Sequence, residues 1–159
     1  MCPATKKPDI DDDAEVRLEA FVAKFDAKDQ ALIRAVRKAM RGRFPTCHEL
    51  VYDNYNFFVI GYCTSERPSD CICSLASNRN GVGLAFYYGA TLPDPHKILQ
   101  GSGNQNRFVR LPDGAKTLAQ PEVQALITAA IAQAKTPLPK QGKGKLIIRS
   151  ISEKQKARK

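Results

Sequence analysis

The spacing of apolar side chains predicts an α+β domain: an antiparallel sheet of about five strands packed against N- and C-terminal helices, with a basic C-terminal tail. Three observations carry this. Apolar residues recur every three or four positions near both ends of the chain, as one face of a helix requires. The middle is rich in aromatic and β-branched residues, which suit strands. The connections between those runs are short, and short connections join antiparallel neighbours.

The chain opens with residues 1–13, which hold two prolines, two lysines and the run Asp11-Asp12-Asp13 but few apolar side chains. They are expected to form a flexible acidic lead-in. Leu18, Phe21, Val22 and Phe25 then share one helical face. Asp26 and Asp29 offer caps for a second helix whose buried stripe is Leu32, Ile33, Val36, Ala39 and Met40, and Gly42 and Pro45 end it. Arg34, Arg37, Lys38 and Arg41 lie on its opposite face, which reads as a solvated surface or, alternatively, as an anion-binding strip.

Strands are expected over Glu49–Asp53 and Asn56–Tyr62, with a turn at Asp53-Asn54, and over Cys71–Ala76 and Val82–Tyr88, with Asn80-Gly81 as a hairpin turn. Arg107–Leu111 alternates as a fifth strand, and Pro121 opens a helix through Ala134 with Val123, Leu126, Ile127, Ala130 and Ile131 inward. The folded body therefore spans 14–135. Residues 136–159 turn to Pro, Lys and Gly and read as a linker and basic tail, in which Leu146-Ile147-Ile148 is an apolar island able to dock as an edge strand.

A hydrophobic fraction of 43% supplies a core for one domain despite a mean hydropathy of -0.37, so wholesale disorder is excluded. The net charge of +9 suggests nucleic acid until its position is examined. From Lys135 onward there are nine lysines and arginines against one glutamate, leaving the rest of the chain at about +1. Nonspecific nucleic-acid association is accordingly expected only through the tail. No apolar run approaches a membrane span and the amino terminus lacks signal-peptide character, so the expected location is cytoplasmic, without membrane partners. The five cysteines are irregularly spaced and expected to be free, buried thiols; Cys71 and Cys73 would share a strand face.

The segments Glu49-Leu-Val-Tyr-Asp-Asn-Tyr-Asn56, Gly89-Ala-Thr-Leu-Pro-Asp-Pro95, Leu99-Gln-Gly-Ser-Gly103 and Arg107-Phe-Val-Arg-Leu111 together resemble the YdhG-like domain family, a group without a settled function. The likeness covers roughly Leu18 to Ala134 and implies terminal helices packed over an antiparallel sheet. Some members of that group resemble frataxins, which bind iron through carboxylates of the first helix and strand. The resemblance thus raises an iron-carrier alternative, with Glu49, Asp53 and the acidic cluster of Asp9, Asp11, Asp12, Asp13, Glu15 and Glu19 as its residues.

The preferred ligand site is the loop bearing Asp94, His96, Lys97, Ser102, Gly103, Asn104 and Arg107, because glycines let backbone N–H groups approach an anion that Lys and Arg neutralise. The same loop could simply turn the chain, with Asp94 capping a helical turn. It lacks the complete nucleotide-loop pattern. Glu49 and Asp53 fall on one side of the first strand, where they could hold a metal or pair with arginines. His48 and His96 are the only histidines, no nucleophilic triad is recognisable, and a hydrolase has little support. The expectation is a non-enzymatic binding module for a small anionic ligand or an acidic group of a protein partner, with no cofactor unless iron.

Overall fold

The computed structural model describes residues 10–159 and folds them as α+β, with a six-stranded mixed sheet and four helices. Helix α1 (Ile10–Val22) begins inside the expected lead-in, whose first nine residues lie outside the described ones. Helix α2 (Ala27–Arg43) is capped by Asp26, whose carboxylate accepts the Asp29 N–H at 2.9 Å. Strands β1 (His48–Asp53), β2 (Phe58–Cys63), β3 (Cys71–Asn78), β4 (Gly81–Phe86) and β5 (Arg107–Arg110) follow in antiparallel succession. A short helix α3 (Ala115–Leu118) and helix α4 (Pro121–Gln133) lead to β6 (Leu146–Ile151). The strand order is β5-β4-β3-β2-β1-β6.

The sixth strand corrects the expectation of an all-antiparallel, five-stranded sheet. The island at Leu146 does dock, but it runs parallel to β1, with Glu49 opposite Leu146 and Val51 opposite Ile148. Its entry is fixed by Gly144, where a β-carbon would overlap the carbonyl of Cys47, and by His48, whose Nδ1 accepts the Lys145 N–H at 3.0 Å.

The hairpin joining β3 to β4 is also shifted from its predicted position. Asn78 pairs with Gly81, so the turn residues are Arg79 and Asn80 rather than Asn80 and Gly81. The Asn78 side chain accepts the Asn80 N–H at 2.9 Å, and Gly81 supplies the positive φ of 124° as the strand restarts.

One face of the sheet packs against the helices. Leu18, Phe21, Phe25, Ile33, Val36 and Met40 from α1, α2 and the bend between them meet Phe58, Ile60, Leu75, Leu84 and Phe86 from the strands. Val123, Leu126 and Ile127 of α4 join this core. Phe58 lies at its centre, with ring centroids 6.2 Å from Phe21 and 6.1 Å from Phe25, both tilted as aromatic pairs prefer. Among the described residues no helix is long and apolar enough to cross a membrane.

Positive charge is not wholly excluded from this globule. Arg158, near the end of the expected tail, is buried, and its Nη2 donates to Asp53 Oδ1 at 2.9 Å and to the Asn54 carbonyl at 2.6 Å. Lys24 Nζ reaches the other Asp53 oxygen at 2.6 Å. The Asp53 side chain is fully buried, so deleting Arg158 removes the only buried cation beside it among the described residues. Breaking a buried pair from one side costs about 3–5 kcal/mol, because the remaining charge cannot be resolvated. Arg158→Leu should therefore lower the unfolding free energy from urea titration by an amount in that range, with a lower midpoint, and pairing it with Asp53→Leu should restore most of the loss. A single change that leaves the midpoint in place would show that the chain end is not docked.

Candidate functional site

The loop predicted as the ligand site is folded upon itself. Asp94 uses both carboxylate oxygens locally, accepting the N–H of Ile98 at 3.0 Å and of Leu99 at 2.9 Å. Arg107 turns its Nη1 onto the carbonyls of Gly103 at 2.5 Å and Asn106 at 2.8 Å. Gln100 forms a two-way backbone bridge with Phe108, and Gly89 packs so closely on the Arg107 backbone that a β-carbon would overlap it. His96, Lys97, Ser102, Gly103 and Asn104 are exposed, and Lys97 has a positive φ of 53°. No hydrogen bond or ion pair among the described residues joins the side chains of His96, Lys97, Ser102 and Asn104. The structure therefore places the predicted residues along one loop that covers the edge of β5, without bringing them together around a cavity.

Glu49 and Asp53 do fall on the helix-facing side of β1, as alternation requires, but each serves a separate ion cluster. Glu49 accepts Arg37 Nε at 3.0 Å, Arg37 Nη2 at 2.9 Å and the Tyr62 hydroxyl at 3.0 Å. The same guanidinium holds Glu15 through Nη1 at 2.9 Å and Nη2 at 2.6 Å. Arg37 thus departs from the solvated face expected of it: it is buried, and its four hydrogen bonds bridge α1 to β1. Burial opposes its charge, yet the two carboxylates more than offset this and raise its pKa. Burial, and next the Glu49 charge, push the Tyr62 hydroxyl well above its ordinary value. Tyr52 is half-buried, and Tyr55 is exposed with Lys156 Nζ 5.6 Å from its ring centroid. The oxygens proposed as metal ligands are thus committed to cations of the chain itself.

The cysteine reading needs a correction too. A bulge at Ile72 places Cys73 opposite Tyr62 and Cys71 opposite Cys63. Cross-strand partners share a face, and Tyr62 and Cys63 point oppositely, so Cys71 and Cys73 lie on opposite faces rather than together. Cys73 enters the core beneath the helices, while Cys71 belongs to the far side of the sheet. Burial, and next the charge of Cys71, push the Cys47 thiol up to about 12.

That far side carries the most developed concavity. Rows of cross-strand partners run Arg110–Gly83–Ala76–Val59–Tyr52 and Phe108–Ala85–Ser74–Gly61–Leu50. The middle of both rows consists of side chains no longer than a hydroxymethyl group. Larger ones stand at the borders. The result is a trough of about 510 Å³, floored by Gly83, Ala85, Ala76 and Ser74 and walled by Phe57, Val59, Tyr87 and Phe108. Phe57 is 44% and Tyr87 48% exposed, so two of the walls are aromatic surfaces left in water. Arg110 and the polar side chains of Asn78, Asn80 and Asn106 form the rim.

The trough is a consequence of strand period. In Gly81-Val-Gly-Leu-Ala-Phe86, the large residues Val82, Leu84 and Phe86 alternate inward, and only Gly81, Gly83 and Ala85 remain for the other face. This small-large alternation was the signal in the sequence that could have located the site. Arg110 has no carboxylate partner among the described residues, which distinguishes it from Arg34, Arg37, Arg41, Arg67 and Arg158.

The Arg37 cluster sets a pH dependence of folding separate from the trough. Hydrogen bonds from Arg37 hold the Glu15 carboxyl below its ordinary value of 4.5, against a smaller upward push from partial burial. A carboxylate depressed on folding adds stability that is complete above its unfolded pKa and is lost as pH falls through the folded one. Glu15→Gln should consequently lower stability near neutral pH and make its decline below about pH 4.5 shallower, as read from urea midpoints across an acid series. Parallel curves for both proteins would contradict the pairing. Compared with known families, curated proteins and solved structures, the chain finds no match in any of the three.

Proposed function

We propose that this domain is a non-enzymatic binding module whose ligand is a small amphipathic anion, a flat apolar body bearing an acidic group, lying in the trough on the open side of the sheet. The observation that carries this reading is the combination of a floor of small residues, flanking aromatic walls and one rim arginine without a carboxylate partner among the described residues. A volume of about 510 Å³ lies within the usual range of small-molecule sites, and such sites pair an apolar lining with a few placed polar groups. A planar ring can stack against Phe57, Tyr87 or Phe108 while Gly83 and Ala85 leave room for its thickness. The acidic group would reach Arg110, whose planar fork suits a carboxylate or phosphate.

The lining also argues for holding rather than transforming the ligand. It contains no histidine, cysteine or carboxylate. The expected anionic ligand is retained in this reading, but its seat moves from the loop of Asp94 to Arg107 onto the neighbouring sheet face.

Naphthoate is a suitable probe because it joins a fused ring to a carboxylate. In heteronuclear NMR titration it should shift the amide signals of Ala76, Gly83, Ala85 and Phe108. Arg110→Gln should weaken naphthoate by about tenfold or more, since a hydrogen bond to a charged group contributes roughly 1.5–3 kcal/mol. The same variant should leave the neutral naphthalene methanol unaffected. Ala85→Leu should fill the floor and remove binding of both while preserving the melting temperature to within a few degrees. Shifts confined to Lys97, Ser102 and Asn104 would return the site to the loop, and a flat titration would remove the proposal.

A further inference from the structure

Cys63 and Cys71 stand directly opposite one another where β2 ends and β3 begins, on the same side of the sheet as the trough. Partners across an antiparallel pair have Cα atoms about 4.5–5.5 Å apart, inside the range of about 4.4–6.8 Å that a disulfide tolerates. Their sulfur atoms converge over Gly61: a β-carbon there would lie 3.2 Å from Cys71 Sγ and 3.6 Å from Cys63 Sγ. Glycine at this point leaves a notch in which the two thiols meet with no side chain between them. Both cysteines are free.

The two thiols are not equivalent. Cys63 is buried at 1% exposure, whereas Cys71 is partly exposed and lines a surface cavity of about 210 Å³ with Thr64, Asp70, Tyr88, Gln133 and Thr136. Ser74 Oγ lies 3.3 Å from Cys71 Sγ. Hydrogen bonds from Cys63 and then Ser74 lower the Cys71 pKa, while the same contact with Cys71, together with burial, raises that of Cys63. A partly exposed cysteine of lowered pKa beside a buried cysteine of raised pKa has the arrangement of a redox-sensing pair.

We propose that Cys63 and Cys71 form a reversible cross-strand disulfide in response to hydrogen peroxide, with Cys71 as the thiol oxidised first and Cys63 as the resolving thiol. In the first step the Cys71 thiolate attacks one peroxide oxygen. The S–O bond forms, the O–O bond breaks, and hydroxide leaves and takes a proton to become water, so that Cys71 becomes a sulfenic acid and the peroxide is reduced. In the second step the Cys63 sulfur attacks Cys71, the S–S bond forms, the S–O bond breaks, and the departing hydroxide takes the Cys63 proton as a second water. A dithiol reductant returns both thiols by exchange. The cross-link closes the loop from Thr64 to Asp70, whose two ends line the surface cavity.

The test uses the full chain, treated with hydrogen peroxide, alkylated under denaturing conditions and cleaved after glutamate, which separates Cys63 from Cys71 at Glu66. The expected product is a linked pair of peptides that separates on dithiothreitol treatment, with Cys73 still alkylated. In Cys63→Ser the expected product is a dimedone adduct on Cys71, because the sulfenic acid has lost its resolving partner. A wild-type Cys71 that remains fully alkylated at a peroxide dose that oxidises free cysteine would overturn the proposal. So would a cross-link found only between two copies of the chain. The wild-type result stands whether or not the serine variant folds.

Discussion

The constraint on which the rest depends is the two-residue period of the central strands. Across β2, β3 and β4 the inward-facing residues are mainly apolar: Phe58, Ile60 and Tyr62, then Cys73 and Leu75 with the buried Ser77, then Val82, Leu84 and Phe86. That set faces the helices. A register slip of one residue would expose all of it and bury glycine, alanine and serine against α1 and α2, leaving the core without its contents. The same arithmetic that fills the core empties the opposite face. The trough is thus the reverse side of the packing, and its floor lies where the strand register places the small residues.

Ion pairs then fix how the covering layer sits on this sheet. Arg37 joins α1 through Glu15 to β1 through Glu49, and Tyr62 of β2 completes the cluster. Asp53 does the corresponding work at the other end of β1, where Lys24 follows α1 and Arg158 arrives from the chain end. The two carboxylates that alternation put on one side of a strand are therefore two fasteners, one at each end. Neither faces the trough. This separation leaves Arg110 at the trough rim without a carboxylate partner among the described residues, and it explains why the sheet face and the ion clusters belong to different functional readings.

Much of the scaffold was legible in the sequence because its determinants are local. Leu18, Phe21, Val22 and Phe25 marked the first helical face, and Ile33, Val36 and Met40 the second, since neighbours on a helix surface are neighbours in sequence. The missed features are non-local. Arg37 looked like one of four cations on a solvated face, and only the approach of Glu15 and Glu49 from other elements buried it. Arg158 lay in a stretch whose composition reads as tail, yet Asp53 and Asn54 capture it. The parallel pairing of β6 depends on the return path through Gly144. The bulge that separates Cys71 from Cys73 adds one residue to a strand without any glycine to announce it. The candidate trough was legible in the alternation of β4, but its small floor residues carry no charge that would mark a site.

The claim that small residues of β3 and β4 form an open floor, while their large neighbours are sealed beneath the helices, is tested most directly by the solvent exposure of individual methyl groups. A soluble paramagnetic agent should broaden the methyl signals of Ala76 and Ala85 strongly and leave those of Leu75 and Leu84 sharp. Equal protection of all four would mean that something covers the trough, and broadening of the leucines instead would mean that the strands pair in the other register.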